Sequence, residues 1–255
     1  MLLTDTHTHL YVEEFNADRD AVVQRAISAG ITKMFLPAID AGTYDAMMDM
    51  EKKYPEHCFA MMGLHPCSVN ENVNNALQIV EEWLTKRPFA AIGEIGLDFY
   101  WDKTFTQQQY NAFDRQMQWA LEKKLPVVIH TRNAMQETIN RVKPFAQKGL
   151  TGIFHCFSGS YESARQIIDM NFSLGIGGVL TYKNAGLPTT LEKIPIACMV
   201  LETDAPYLTP VPFRGKRNES SYLQYIAENL AIIKRINLED LAVITSANAE
   251  KIFQV

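Results

Sequence analysis

The chain has 255 residues, of which 47% are hydrophobic and 21% charged, and its formal net charge is −5. This composition excludes a disordered or fibrous protein, and no stretch approaches the ~20 uninterrupted apolar residues of a membrane span. The acidic balance argues against non-specific coating of duplex DNA, which needs basic surface, although bound cations can supply positive charge locally.

Leu2–Thr6 is the first of eight short apolar, β-branched or aromatic runs. A helix follows, capped by Asn16 or Asp18, with Val22, Val23, Ala26 and Ile27 on one face and Gly30 as its stop. The second run is Ile31–Ile39. After it Met47, Met48 and Met50, beside Tyr44 at helical spacing, read as core, and Lys52-Lys53 as a solvated helix end. Phe59–Leu64 and Ala90–Leu97 are the third and fourth runs. A helix over Thr106–Lys124 carries Phe113, Met117, Ala120 and Leu121 before Pro126 opens the fifth run, Val127–Thr131. Gly152–Phe157 is the sixth, and Ser158 or Ser160 then caps a helix bearing Ala164, Ile167 and Ile168. Ser173–Val179 and Met199–Thr203 complete the set, and two helices, roughly Ser220–Arg235 and Leu238–Phe253, finish the chain. Alternating strands and helices predict a parallel α/β sheet, and eight units of about this length predict a (β/α)8 TIM barrel. With no low-complexity linker, charge block or internal repeat, one domain over residues 1–255 is expected.

The polar residues fall where such a barrel keeps its active site. Five of the six histidines sit at the C-terminal ends of predicted strands: His7 and His9 on the first, His65 on the third, His130 on the fifth and His155 on the sixth. Glu94 lies in the fourth strand and Asp204 follows the eighth. That rim is the active-site face of this fold. One strand-end histidine reads as structural; five, with two carboxylates, do not, and only His57 reads as surface. Because side chains alternate, His7 and His9 point to the same side and can grip one ion. Asp5 and Glu202, two residues earlier on their strands, face the same interior one layer deeper, as a buried hydrogen-bond network or as orienting partners for ligands. Imidazoles and carboxylates without thiolates suit Zn²⁺, Mn²⁺, Fe²⁺ or Mg²⁺, and two such ions would share a bridging carboxylate. Cys156, beside His155, is expected on the opposite strand face.

Cys58, Cys67, Cys156 and Cys198 form no CxxC pair, and Met1-Leu2-Leu3-Thr4-Asp5 has neither the basic start nor the apolar run of a secretory signal. A cytoplasmic protein with free thiols is the expectation.

The ordered set Asp5-Thr6-His7-Thr8-His9-Leu10, Gly63-Leu64-His65-Pro66, Gly93-Glu94-Ile95-Gly96-Leu97-Asp98, Val127-Val128-Ile129-His130, Phe154-His155-Cys156-Phe157-Ser158-Gly159 and Leu201-Glu202-Thr203-Asp204-Ala205-Pro206 resembles the TatD-family deoxyribonucleases. These belong to the amidohydrolase-like metal-dependent hydrolases. Arg214-Gly215-Lys216-Arg217-Asn218-Glu219 and the spacing from Asn248 to Phe253 extend the resemblance over nearly the whole chain. It implies two divalent ions (Mg²⁺, Mn²⁺ or Zn²⁺), with His7, His9, Glu94 and Asp204 at one. Glu94, His130 and His155 would hold the other, with Glu94 bridging. It further implies that His65 reaches the scissile phosphate, that Asp204 takes the proton of the attacking water, and that cleavage runs from a 3′ end. Asn133, where relatives usually have Asp, and Ser220, where Pro is usual, depart from the pattern without touching a proposed ligand.

The function expected is therefore hydrolysis of DNA phosphodiesters at single-stranded ends, with nucleic acid as the substrate, no membrane association and no obligate protein partner. Lys183, Arg214, Lys216 and Arg217 fall in the loops after strands seven and eight, where barrels frequently bind phosphate. Tyr100 and Trp101 are open to base stacking or to simple loop packing. A small-molecule amidohydrolase or lactonase on the same metal site is the alternative, but many binuclear relatives of that kind use a carboxylated lysine. The predicted strands offer only Lys33, too early in its strand to reach the rim. Hydrolysis of an aminoacyl-tRNA ester, and a non-catalytic binding protein on a degenerate barrel, are the remaining readings.

Overall fold

Each apolar run forms a short strand that pairs in parallel with its neighbour, and the amphipathic segment after it covers the sheet's outer face. In the computed structural model, which describes residues 1–183 and 186–254, the strands are β1 (Leu3–Asp5), β2 (Ile31–Leu36), β3 (Cys58–Ala60), β4 (Ile92–Asp98), β5 (Val127–Arg132), β6 (Gly152–Phe154), β7 (Phe172–Ile176) and β8 (Met199–Leu201). The helices are α1 (Arg19–Ser28), α2 (Tyr44–Lys53), α3 (Val73–Lys86), α4 (Thr106–Lys123), α5 (Met135–Ala146), α6 (Tyr161–Asp169), α7 (Leu187–Glu192), α8 (Leu223–Lys234) and α9 (Leu238–Phe253). All eight predicted strands are present, most of them shorter than predicted. Among the described residues, no helix is long and apolar enough to cross a membrane.

Pairing runs β1-β2-β3 and β4-β5-β6-β7-β8. Backbone hydrogen bonds join the two sheets at both seams. Between β3 and β4, Ala90 N donates to Ala60 O (3.0 Å), Met62 N to Ala91 O (3.1 Å) and Gly93 N to Met62 O (3.1 Å). Between β8 and β1, Thr6 N donates to Leu201 O (3.0 Å) and Asp204 N to His7 O (2.8 Å). The eight parallel strands are those of the (β/α)8 barrel that the alternation predicted.

Two apolar clusters hold this frame. The larger lies between the strands and the helices and takes in Met47 and Met50, which are core as expected. The smaller comprises Phe35, Met61, Ala91, Val128, Ile153 and Val200 with Ala249 and Phe253 of α9, and Phe253 stacks on Phe35 at 3.8 Å. By alternation Val128, Ile153 and Val200 share the face of His130, His155 and Glu202 two residues later. This dry cluster is therefore a floor beneath the polar residues.

The helix ends show where local signals compete with tertiary ones. Ser160 caps α6 as expected, accepting from Ser163 N at 3.2 Å. Asp18 stands at the N-cap of α1 but makes no capping bond, because its carboxylate is taken by Arg217 (2.8 Å from both oxygens) and Arg25 (3.4 Å). Gly30 ends that helix at φ 88°, a left-handed backbone that glycine adopts without steric cost. His57, expected on the surface, is half-buried, with Nδ1 2.8 Å from Thr32 O.

Two buried glutamines on α4 fix the segments that carry polar site residues. Gln109 accepts from Asp98 N (2.9 Å) and donates to Asp98 O (3.1 Å). One heptad on, Gln116 accepts from Leu64 N (2.7 Å) and donates to Leu64 O (3.2 Å), holding the residue before His65. Backbone groups of Asp98, at the end of β4, and of Leu64, in the loop after β3, thus find their partners on α4. Gln116→Leu strips partners from two buried backbone groups, at about 1–3 kcal/mol each. For a chain of this size it should lower the thermal midpoint by several degrees, about 2–4 °C per kcal/mol, in a melt followed by circular dichroism.

Candidate metal centre

Glu94 is 2% exposed, and five of the six imidazoles surround its carboxylate. Its two oxygens face different groups. Oε2 lies 3.1 Å from His7 Nε2 and 3.5 Å from His9 Nε2, and both nitrogens approach Asp204 Oδ1, at 3.6 and 3.5 Å. Oε1 lies 2.7 Å from His155 Nε2, 2.9 Å from His130 Nδ1 and 3.4 Å from His65 Nε2. The register shift in β4 between Ile92 and Ile95 accompanies this placement of the side chain inside the barrel.

These donor sets fit divalent cations. Bonds of about 2.1 Å in tetrahedral or octahedral geometry set ligand–ligand edges of roughly 3.0–3.4 Å, and these atoms lie 2.7–3.6 Å apart, around that span. His7 Nε2 and His9 Nε2 face each other at 3.2 Å, deep in the protein. The outer nitrogens show which atoms are bare. Tyr11 Oη donates to Pro37 O, so it accepts from His9 Nδ1 (3.0 Å), and the lone pair of His9 is on Nε2. His130 Nε2 lies 2.9 Å from Asp98 Oδ2, leaving Nδ1 bare toward Glu94. His155 Nδ1 faces Glu202 Oε1 at 3.6 Å, beyond hydrogen-bond distance, and its Nε2 turns inward toward Glu94. In their neutral forms these rings would turn lone pairs toward one another and toward carboxylates, a donor set that could hold a cation, with orienting partners on His9 and His130 of the kind metal-binding imidazoles usually have.

His65 differs. Its Nδ1 accepts from Cys67 N at 3.1 Å, so the neutral ring carries its proton on Nε2, the atom aimed at the centre. Burial, opposed by Glu94, holds His65 below the usual imidazole range, which keeps it in that neutral form at neutral pH. Although burial alone would raise Glu94, the surrounding imidazoles, His155 foremost, hold it well below the usual carboxylate range.

The centre opens into a cleft of about 710 Å³ lined by Glu94, His65, His130, His155 and Asp204, with Asp98, Trp101, Arg132 and Tyr207 around them. Asp204 stands beyond the end of β8 in left-handed backbone (φ 56°), held there by its N–H bond to His7 O.

Of the residues expected to support the ligands, Glu202 does face an imidazole. It also accepts from Cys156 N, and Gly175 leaves room for it, since a Cβ there would lie 2.2 Å from Glu202 Oε2. Asp5 touches no imidazole. Its carboxylate accepts from Thr203 N (2.9 Å), Thr203 Oγ1 (2.6 Å) and His7 N (3.3 Å), so it ties β1 to the segment after β8; burial pushes it up to about 7. Cys156 does not point away from the site. It adopts φ 48°, which breaks the alternation, and it lines the cleft.

The four basic residues expected to hold phosphate lie outside the residues that line the cleft. Lys183, Arg214 and Lys216 are exposed, with Arg214 stacked 4.0 Å from the Tyr182 ring. Arg217 is engaged with Asp18, Glu14 O and the face of Phe15. The cation in the lining is Arg132. Asp98 was also missed, although its spacing from Glu94 within one strand carried the signal. Of the two departures, Asn133 occupies φ 52°, which Asn and Asp both tolerate, and Ser220 Oγ bonds Thr8 Oγ1 at 3.2 Å.

The family model for TatD related DNase matches residues 4–254. The chain is 38% identical over 255 residues, and over the full length of both chains, to an uncharacterized metal-dependent hydrolase of Bacillus subtilis, YabD. It is 34% identical over 258 residues, 98% of each chain, to a Pantoea ananatis protein described as the 3′-5′ ssDNA/RNA exonuclease TatD. The solved structure of YJJV, a TatD homolog from Escherichia coli, superposes with a TM-score of 0.93 at 28% identity, covering 99% of this chain and 98% of that one. The chain is thus a metal-dependent hydrolase acting on ester bonds, and it belongs to the TatD family.

Proposed function

We propose that the chain hydrolyses phosphodiester bonds at the 3′ end of single-stranded DNA, with residues 1–255 acting as one catalytic unit. The observation that carries this reading is the division of Glu94, one oxygen toward His7, His9 and Asp204 and the other toward His130 and His155. These residues would hold divalent cations on either side of Glu94, and such cations would supply the positive charge that displacement at phosphorus needs. The relative described as a single-strand exonuclease supports the substrate. The lack of a lysine near the centre speaks against the lactonase-like alternative.

Divalent ions held by these residues would supply Lewis-acid charge and lower the pKa of water. The chain's own groups do the rest. Asp204, whose side chain is 13% exposed at the cleft floor, accepts the proton of the attacking water. His65 donates from Nε2–H to a phosphate oxygen as negative charge grows there. Glu202 and Asp98 keep His155 and His130 turned with their bare nitrogens inward. Arg214, held on Tyr182, grips a phosphate further along the strand, with Lys183 and Lys216 adding charge.

Chelation should abolish hydrolysis while far-UV circular dichroism stays native, because the apolar clusters and not the ions hold the barrel. Restoring Mg²⁺, Mn²⁺ or Zn²⁺ singly should return cleavage of single-stranded oligonucleotides with free 3′ ends. Equal rates on 3′-blocked strands, or cleavage only of esters and amides, would refute the substrate assignment. At saturating metal, Asp204→Asn should remain slow because an amide cannot take the proton, whereas full recovery would remove Asp204 as the base. His65→Ala should lower kcat by about 10²–10³ with little change in KM, the effect of losing one donor to a developing oxyanion. Arg214→Ala should raise KM and reduce the salt slope by about one unit. Arg217→Ala should leave the slope unchanged and show its effect in the thermal melt.

A further inference from the structure

The rim of the cleft beyond β4 and β5 carries a cluster that the chemistry above does not use. Trp101 is 66% exposed and Tyr100 50% exposed, with ring centroids 4.9 Å apart and planes at 86°. The Arg132 guanidinium lies over both, 3.9 Å from the Tyr100 centroid and 5.2 Å from that of Trp101. Trp101 and Arg132 line the same cleft as Glu94, His65 and His130.

Three features distinguish this cluster from loop packing. An indole left two-thirds in water contributes little to a core, so burial does not account for Trp101. The Arg132 guanidinium has no hydrogen-bond or ionic partner among the described residues, whereas seven other arginines of the chain each meet a carboxylate. Finally, the cluster is mechanically tied to the centre through Asp98. Oδ1 of that carboxylate accepts from Tyr100 N (2.9 Å) and Trp101 N (3.2 Å), while Oδ2 meets His130 Nε2 at 2.9 Å. The group that turns His130 inward thereby also sets the turn on which the two aromatic rings stand.

We infer that Trp101, Tyr100 and Arg132 form a nucleobase subsite. The base of a nucleotide adjoining the scissile phosphate stacks on Trp101, and Arg132, steadied by Tyr100, donates to a phosphate oxygen of the same nucleotide. This rests on the nucleic-acid reading above and deepens it. Every base has a π-face, so such a platform accepts any sequence. A base inside a duplex already has its stacking partners and is not free to occupy it. The subsite therefore selects unpaired ends.

The test uses dT oligonucleotides carrying one abasic residue at each of the last three 3′ positions. With the metal-loaded protein, an abasic residue at one of these positions should lower kcat/KM about 5- to 100-fold, mainly through KM. Trp101→Ala should lower kcat/KM on the intact strand by a similar factor and lose the sensitivity to the abasic residue. In parallel, the metal-free protein is titrated with the same strands and its tryptophan fluorescence followed. Intact strands should quench it, the strand abasic at the sensitive position should not, and Trp101→Ala should lack the quench. A native melt for Trp101→Ala shows that the variant is folded. Undiminished kcat/KM and abasic sensitivity in Trp101→Ala, with no base-dependent quench, would overturn the subsite. Base-dependent quenching without hydrolysis of any oligonucleotide would keep the subsite and refute the phosphodiesterase reading. Hydrolysis indifferent to Trp101 would do the reverse.

Discussion

A carboxylate removed from water is costly unless opposite charge or hydrogen bonds replace its hydration, and Glu94 sits in the barrel mouth at 2% exposure. What replaces the water is a ring of five imidazoles, three against one oxygen and two against the other. Those imidazoles come from β5 and from the segments just beyond β1, β3 and β6, so the carboxylate can be accommodated only when the barrel is assembled. The seams between β3 and β4 and between β8 and β1 are part of the same constraint. Bonds such as Asp204 N to His7 O join the first and last strands where their ligands meet.

The centre is held from outside by groups that never enter it. Tyr11 and Asp98 take the outer nitrogens of His9 and His130 and so decide which nitrogen of each ring faces inward, and the Glu202 carboxylate lies 3.6 Å from the outer nitrogen of His155. Asp5 secures backbone where it might have been expected to secure a ring. Gln109 and Gln116 hold Asp98 and Leu64 from α4, one layer further out. A change in these residues would alter the angles of the donor atoms without removing any of them, which is why their effects should appear in metal affinity and turnover together.

The charge of the surface follows a similar division. Most arginines are committed to carboxylates of the fold, and Arg217 is one of these despite its place in a loop near the active face. Arg132 and Arg214 instead lie on aromatic rings. An acidic protein can in this way present cationic groups near the cleft without a basic surface elsewhere.

The period of the apolar runs and their number determined the eight parallel strands. Position on the predicted strands singled out His7, His9, His65, His130, His155, Glu94 and Asp204, because side-chain alternation and the polarity of a barrel are local or topological rules that a sequence carries; only the family resemblance divided them into ligands and a phosphate contact. Tertiary structure decided what alternation cannot. Cys156 turns into the cleft because its backbone is left-handed, and Asp204 reaches the centre from a similar conformation three residues beyond β8. Asp18 gives up its helix cap to Arg217, a partner 199 residues away. Which nitrogen of His9, His130 and His65 carries the proton depends on Tyr11, Pro37, Asp98 and Cys67. Most of these contacts lie across strands or loops, and no spacing within one segment encodes them. Composition and periodicity report on a residue's own element. The protonation and direction of a buried polar group depend on its neighbours, which only the closed barrel brings within reach.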